Sequence, residues 1–172
     1  NTMRIKRAKH FCNAFVLHII SIYCINIIIS NILQHLIHQL KYNEKKEIGI
    51  YLGEKFGNIL KEHPDFAKID CIVPVPIHPE RKVIRGYNQC DMIVEGLSKG
   101  MQIPWFDSVL FRKTHRASQT KKTRKERWKN VSGDFYAPDL NKITHKHVLL
   151  VDDVITTGST LDACANLLMQ AD

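Results

Sequence analysis

The sequence predicts an α/β protein, a parallel sheet flanked by helices, and three observations carry that expectation. Two short runs, IDCIVPV at 69–75 and HVLLV at 147–151, are apolar on both faces, as strands buried inside a sheet must be. Around them lie segments whose apolar residues recur at spacings of three and four, the period of a helix with one buried face. Strands alternating with helices fold as parallel sheets covered on both sides. Ligands of such sheets gather beyond the carboxyl ends of the strands, so the residues following each strand are the place to look for chemistry.

With 172 residues there is room for one such domain and not for two catalytic ones. A composition of 44% hydrophobic and 24% charged residues can bury a core and excludes a coiled coil or a disordered tail. The five cysteines are odd in number, scattered and without a C-x-x-C pair, which excludes a zinc ribbon and argues against a disulfide framework. Cys71, Cys90 and Cys164 sit in apolar runs and read as reduced core residues of a cytoplasmic protein. The net charge of +8 is local: from 111 to 130 nine basic residues face the single acid Glu126, and the rest of the chain is neutral overall. Global basicity is therefore no argument for nucleic acid, although the 112–129 segment wants an anion or is a solvated charged loop.

Taken in order, the chain opens with 19 uncharged residues at 11–29, preceded by Arg4, Lys6, Arg7 and Lys9 in the outline of a signal anchor. Asn13, His18, Ser21 and Asn26 interrupt this run and no small-residue cleavage site follows it, so buried strand or helix is favoured over a membrane span. Residues 1–31 are set apart as an atypical apolar segment and 32–172 as the domain. Ile48, Leu52, Phe56, Ile59 and Leu60 predict an amphipathic helix over 47–60, closed by His63 and Pro64. Gly49, Gly53 and Gly57 give it a smooth stripe, suited to close approach to a sheet. The strand at 69–75 is stopped by Pro74 and Pro76. A loop rich in Pro, His, Arg and Lys precedes a second helix marked by Cys90, Ile93, Val94, Leu97 and Met101. Residues 108–111 suggest another strand, and the strand at 147–151 leads into a last helix with Leu161, Cys164, Leu167 and Leu168.

The most informative string is VLLVDDVITTGST, residues 148–160. A buried strand delivers Asp152 and Asp153 to its carboxyl end, and a Thr-Thr-Gly-Ser-Thr turn opens a helix. Backbone N–H groups and hydroxyls at a helix start favour a phosphate, and Gly158 lets the backbone curl around it. The two acids are hydrogen-bond acceptors suited to a vicinal diol, and Asp152 suits Mg²⁺, directly or through water. An acidic pair beside a phosphate cradle describes a ribose 5-phosphate site. Taken singly, Asp152 and Asp153 could simply end a strand and Ser159 or Thr160 cap a helix, but that does not account for the whole string.

This segment resembles the signature of the type I phosphoribosyltransferases, which bind 5-phosphoribosyl 1-diphosphate (PRPP). The resemblance implies that Asp152 and Asp153, the candidate catalytic residues, face the ribose hydroxyls. It also implies that Val154, Ile155, Thr156, Thr157, Gly158, Ser159 and Thr160 wrap the 5-phosphate. Three further strings narrow the likeness: HLIHQLKY with EIGIYLG within 34–53, VPVPIHPERKVIRGYNQ at 73–89, and SQ, ERWKN and GDF within 112–135. Together they resemble the ComF/GntX family, phosphoribosyltransferase-like proteins linked to DNA uptake in competence, from about residue 32 to the end.

By that resemblance the loop after the first strand, Ile77, His78, Pro79, Glu80 and Arg81, receives the diphosphate, and its cations suit a dense anion. Arg85, Asn88 and Gln89 match an Arg-Gly-aromatic-Asn-Gln motif near the site, while Asn88 serves equally as the cap of the next helix. The basic stretch corresponds to a hood that closes over PRPP, and Arg112, Gln119, Arg127 and Asn130 match family positions in it. Lys121, Lys122, Arg124 and Lys125 read rather as a solvated face or a polyanion patch, and Trp128 as packing or a stacking platform for a base.

Two functions follow as expectations. One is a Mg²⁺-dependent transfer of ribose 5-phosphate to a nitrogen acceptor, for which no residue stands out as base. The other is a non-catalytic PRPP or nucleotide sensor, or a DNA-uptake accessory using the basic loop. The cysteine-rich amino-terminal ribbon of ComF-like proteins is missing. The family also continues into a further strand after the last helix, so the sheet is expected to lack it and to leave an unpaired edge.

Overall fold

The computed structural model describes residues 14–16, 45–113, 133–153 and 158–171. Its elements in chain order are β1 (Ala14–Val16), α1 (Lys46–Lys61), β2 (Cys71–Pro74), α2 (Pro79–Arg85), α3 (Gln89–Met101), β3 (Phe111–Arg112), β4 (Phe135–Tyr136), β5 (Val148–Val151) and α4 (Ser159–Leu168). β1, β5 and β2 form a parallel sheet in that order, with Cys71 opposite Val148 and Ala14 opposite Val148 on the other side. Beyond β2, Trp105 adds a parallel bridge to Ile72, fixed by the bonds from Ile72 N to Pro104 O and from Phe106 N to Ile72 O.

The period of two along each strand divides the core into two layers. Cys71, Val73, Val75, Val148 and Leu150 point to one face, where they meet Leu161, Cys164 and Leu168 of α4 together with Val109, Leu110 and Phe135. Ile72, Leu149 and Val151 point to the other, against Leu60 of α1 and Val94, Leu97 and Met101 of α3. The predicted fold class is the observed one: a parallel sheet with helices on both faces.

Three local expectations are corrected. The sheet neighbour after α3 is Trp105, while Phe111 and Arg112 pair antiparallel with Tyr136 and Phe135 in a separate ribbon at the base of the basic segment. The glycine stripe of α1 meets a helix, not a sheet. Gly53 and Gly57 lie against Gly96 and Gly100 of α3 so closely that a Cβ on Gly53 would collide with the Ile93 carbonyl, and one on Gly57 would come within 2.7 Å of the Leu97 carbonyl. The segment after β2 is not all loop, because α2 forms there. Pro79 supplies a preset φ in its first turn and Gly86, at φ 75°, ends it in the left-handed region. β5 is central in the sheet, with β1 pairing along one side and β2 along the other.

Of residues 11–29, the described part is β1, a strand. Among the described residues no helix is long and apolar enough to cross a membrane.

Candidate functional site

The carboxyl ends of β5 and β2 lie side by side, tied by the bond from Val75 N to Val151 O (2.8 Å). Directly after β5 come Asp152 and Asp153, both half-buried. Asp153 N donates to Asp152 Oδ1 (2.9 Å), so the turn of the backbone itself orients the first carboxylate. From the start of α3 the thiol of Cys90 donates to the same oxygen (3.8 Å). Ligand atoms of Cys90, Asp152 and Asp153 all lie within 4.8 Å of one another.

Burial, reinforced by the charges of Asp153 and Asp152, pushes the Cys90 thiol well above its ordinary value, which keeps it protonated. Its part is to donate a hydrogen bond to Asp152. The two carboxylates are hard oxygen donors fitting Mg²⁺, and they would hold it without the thiol. Sequence reading treated Cys90 as a core hydrophobe; its contact with Asp152 depends on the packing of α3 and could not be seen along the chain.

Residues 154–157 of the predicted phosphate cradle lie outside the described residues. Gly158, Ser159 and Thr160 stand at the start of α4. Gly158 has φ 78°, a left-handed conformation that favours glycine. The N-cap residue of α4 is Gly158, which has no side chain with which to cap the helix. Asp162 N closes the first turn onto Gly158 O (2.9 Å).

On the β2 side, Ile77 and His78 lead into α2, where Pro79, Glu80 and Arg81 form the first turn. Arg81 and Lys82 are exposed; Arg85 is half-buried and donates to Gln89 Oε1 (3.0 Å). Gln89 is itself 2% exposed, and its Nε2 has no hydrogen-bond partner among the described residues. Asn88 caps α3 by accepting from Cys90 N (3.3 Å), while its Nδ2 donates to Val75 O (3.1 Å) and to Asp91 Oδ1 (2.7 Å). The capping role and the place beside the site, held as alternatives from sequence, are thus one role: Asn88 fastens the start of α3 to the end of β2. Tyr87, the aromatic of the motif, is buried under Lys46 of α1 at 5.0 Å.

Of the basic segment only its root is described. Arg112 on β3 faces Asp134 (3.8 Å) and lies over the Phe135 ring (5.1 Å). Gln119, Arg127 and Asn130, with Lys121, Lys122, Arg124, Lys125 and Trp128, lie outside the described residues. Between α2, the start of α3 and this root lies a cavity of about 330 Å³ that no sequence signal announced. Asp91 lines it, and burial, then the neighbouring charge of Asp107, pushes its carboxyl up to about 6 against the opposing pull of Asn88 and Lys82.

Comparison with known proteins adds ancestry to this geometry. A family model described as the phosphoribosyl transferase domain matches residues 88–172. Competence protein F of Haemophilus influenzae is 39% identical over 58% of this chain and 44% of its own length. DNA utilization protein YhgH of Escherichia coli is 31% identical over 80% of this chain and 61% of its own length, and competence protein ComFC of Bacillus subtilis 26% identical over 82% and 55%. The chain thus spans from under half to about three fifths of these relatives. Among solved structures, a glutamine phosphoribosylpyrophosphate amidotransferase from B. subtilis, complexed with ADP and GMP, superposes with a TM-score of 0.45 at 17% identity, covering 71% of this chain and 24% of that one.

Proposed function

The chain belongs to the ComF-like branch of the phosphoribosyl transferase domain family, and on that premise we propose that its site binds PRPP with Mg²⁺ and presents the ribose 5-phosphate unit for transfer to a nitrogen acceptor. One observation carries the reading: two half-buried carboxylates directly after a central strand, on the chain that leads to a left-handed glycine at the start of the last helix. Asp152 and Asp153 accept hydrogen bonds from the ribose hydroxyls, and Asp152 holds Mg²⁺ directly or through water. Residues 154–160 grip the 5-phosphate with backbone N–H groups and hydroxyls.

Residues 77–81, with Arg81 at their end, take the diphosphate. Mg²⁺ supplies charge neutralisation to the departing diphosphate when bound. The chain's own residues fix the sugar and leaving group, and the hood residues Arg112, Gln119, Arg127 and Asn130 exclude water from C1. The thiol of Cys90 fixes the orientation of Asp152 from behind. The site lies in the cytoplasm in this reading, where PRPP and reduced thiols are found together.

Calorimetric titration with PRPP and Mg²⁺ tests this reading. Each hydrogen bond to a charged acceptor contributes roughly 1.5–3 kcal/mol, so replacing both acids (Asp152→Asn with Asp153→Asn) is expected to weaken binding about 100-fold or more. Binding that is unchanged in the double variant, or absent from the unaltered chain, would refute it. Release of diphosphate with a panel of nucleobases then separates a transferase from a PRPP sensor.

A second reading rests on the nine cations within 112–129 and on the relatives named for competence and DNA utilization. In it the basic segment binds DNA phosphates. Neutralising Lys121, Lys122, Arg124 and Lys125 would then reduce the slope of log K against log salt by about 3 to 4.

A further inference from the structure

The cavity beside α3 is separate from the acid pair, although both touch the same helix start. Successive residues on a helix point about 100° apart. Cys90 faces Asp152 and its neighbour Asp91 faces the cavity. Asn88 stands between the two, bonded to Asp91 and to the end of β2.

The lining has two chemistries. Pro76, Ile77, Pro79, Leu110 and Phe111 give apolar walls, and Phe111 is braced by stacking on Tyr136 with centroids 5.5 Å apart. Asp91 and Asp107 bring carboxylate oxygens to the lining, and Lys82 and Arg112 bring cations. Apolar walls with a carboxylate suit a ring bearing N–H groups, and about 330 Å³ is at the small end of ligand pockets. Ile77 and Pro79 belong to the cavity and to the diphosphate loop alike, so a ring held here sits next to a phosphate chain.

We propose that this cavity receives the base of a nucleoside 5′-diphosphate whose phosphates lie on residues 77–81 and Lys82, with the Asp91 carboxylate accepting from the ring N–H groups. The assignment of the phosphates rests on the PRPP reading, whereas that of the base rests on the cavity alone. A carboxylate accepts best from two adjacent N–H groups, the pattern on the ring edge of guanine, so GDP is the preferred ligand. Because the diphosphate loop is shared, such a nucleotide competes with PRPP and makes the site responsive to nucleotide supply. No bond is made or broken in this step.

The test is calorimetry on the full chain with Mg²⁺ and GDP, ADP, CDP, UDP, inorganic diphosphate and PRPP in turn. GDP is expected to bind about tenfold or more tightly than inorganic diphosphate, and Asp91→Asn to erase that advantage. Asp152→Asn with Asp153→Asn is expected to weaken PRPP binding about 100-fold or more and leave GDP within about twofold. Val83→Trp is a second probe, because Val83 lines the cavity yet is 84% exposed, so a larger side chain narrows the cavity without burdening the core. It too should remove the GDP advantage.

If no nucleoside diphosphate outcompetes inorganic diphosphate, or if the advantage survives Asp91→Asn or Val83→Trp, the cavity is not a base site. Failure of PRPP to bind while GDP binds and depends on Asp91 would instead overturn the PRPP reading and leave this one standing.

Discussion

Asp91 carries an acidic group where a neutral one would be more stable. Its folded pKa of about 6 lies above the ordinary 3.8, so the folded chain binds a proton more tightly than the unfolded chain does. This contribution to stability is therefore complete below about pH 4 and is lost as the pH rises through 6. A shift of this size corresponds to a cost of about 3 kcal/mol at neutral pH, as an order of magnitude. Asp91→Asn keeps an oxygen for Asn88 and is expected to melt higher than the unaltered chain at pH 7.5, with the gap closing at pH 4; calorimetric scans at the two pH values measure it. A residue retained against its own stability is in keeping with a binding role. The described thiols tell a plainer story. Burial raises Cys71 to about 11 and Cys164 to about 12, and all three described cysteines are free and buried. Iodoacetamide at pH 8 should leave Cys71, Cys90 and Cys164 unmodified until denaturant is added, as peptide mass mapping would show.

Among the elements, the crossing of α1 and α3 depends most on residue size. Glycines on both helices bring backbone against backbone: a Cβ on Gly100 would lie 2.5 Å from the Glu54 carbonyl, and one on Gly96 would collide with that of Ile50. Alanine at Gly96 gains about 1 kcal/mol in helix propensity but forces the helices apart. Overpacking of this kind costs roughly 1–3 kcal/mol, and more when only backbone can yield. We expect Gly96→Ala to be net destabilising by about 1–2 kcal/mol in urea unfolding, and Gly53→Ala with Gly96→Ala to be worse than either alone. Because α3 carries Cys90 and Asp91 and is capped by Asn88, loosening this crossing should weaken PRPP binding as well. The period of each helix was legible in the sequence. The partner of the glycine stripe was not, since a glycine offers no side chain whose polarity would say what it meets.

At the scale of the whole molecule, β5 is the strand on which the sheet depends. It is paired on one side by β2 and on the other by β1, and it delivers Asp152 and Asp153 to the site. Phe15 stands opposite Leu149, and proline there has no N–H to give the ladder. Phe15→Pro is expected to lower the melting temperature and to increase light scattering on heating, because the unpaired edge of β5 becomes a template for other chains. An unchanged melt would mean that β1 contributes nothing to holding β5. β1 lies before the stretch that carries the family likeness, and its three residues give too short a pattern to assign a partner. Pairing between positions 14 and 148 is a long-range event with no local signature.

By itself the sequence determined what is local: the two buried strands, the helical periods of α1, α3 and α4, the acid pair that closes β5, and the left-handed glycine before α4. Each of these is written in side-chain period or backbone conformation within a dozen residues, which is the range over which a chain dictates its own geometry. Only the tertiary structure decided what meets across the chain. It set Trp105 beside β2 and β1 beside β5, laid glycine on glycine between α1 and α3, and turned Cys90 toward Asp152 while its neighbour Asp91 took the cavity. Such choices follow from packing two layers onto one sheet, where the identity of a neighbour depends on every element at once.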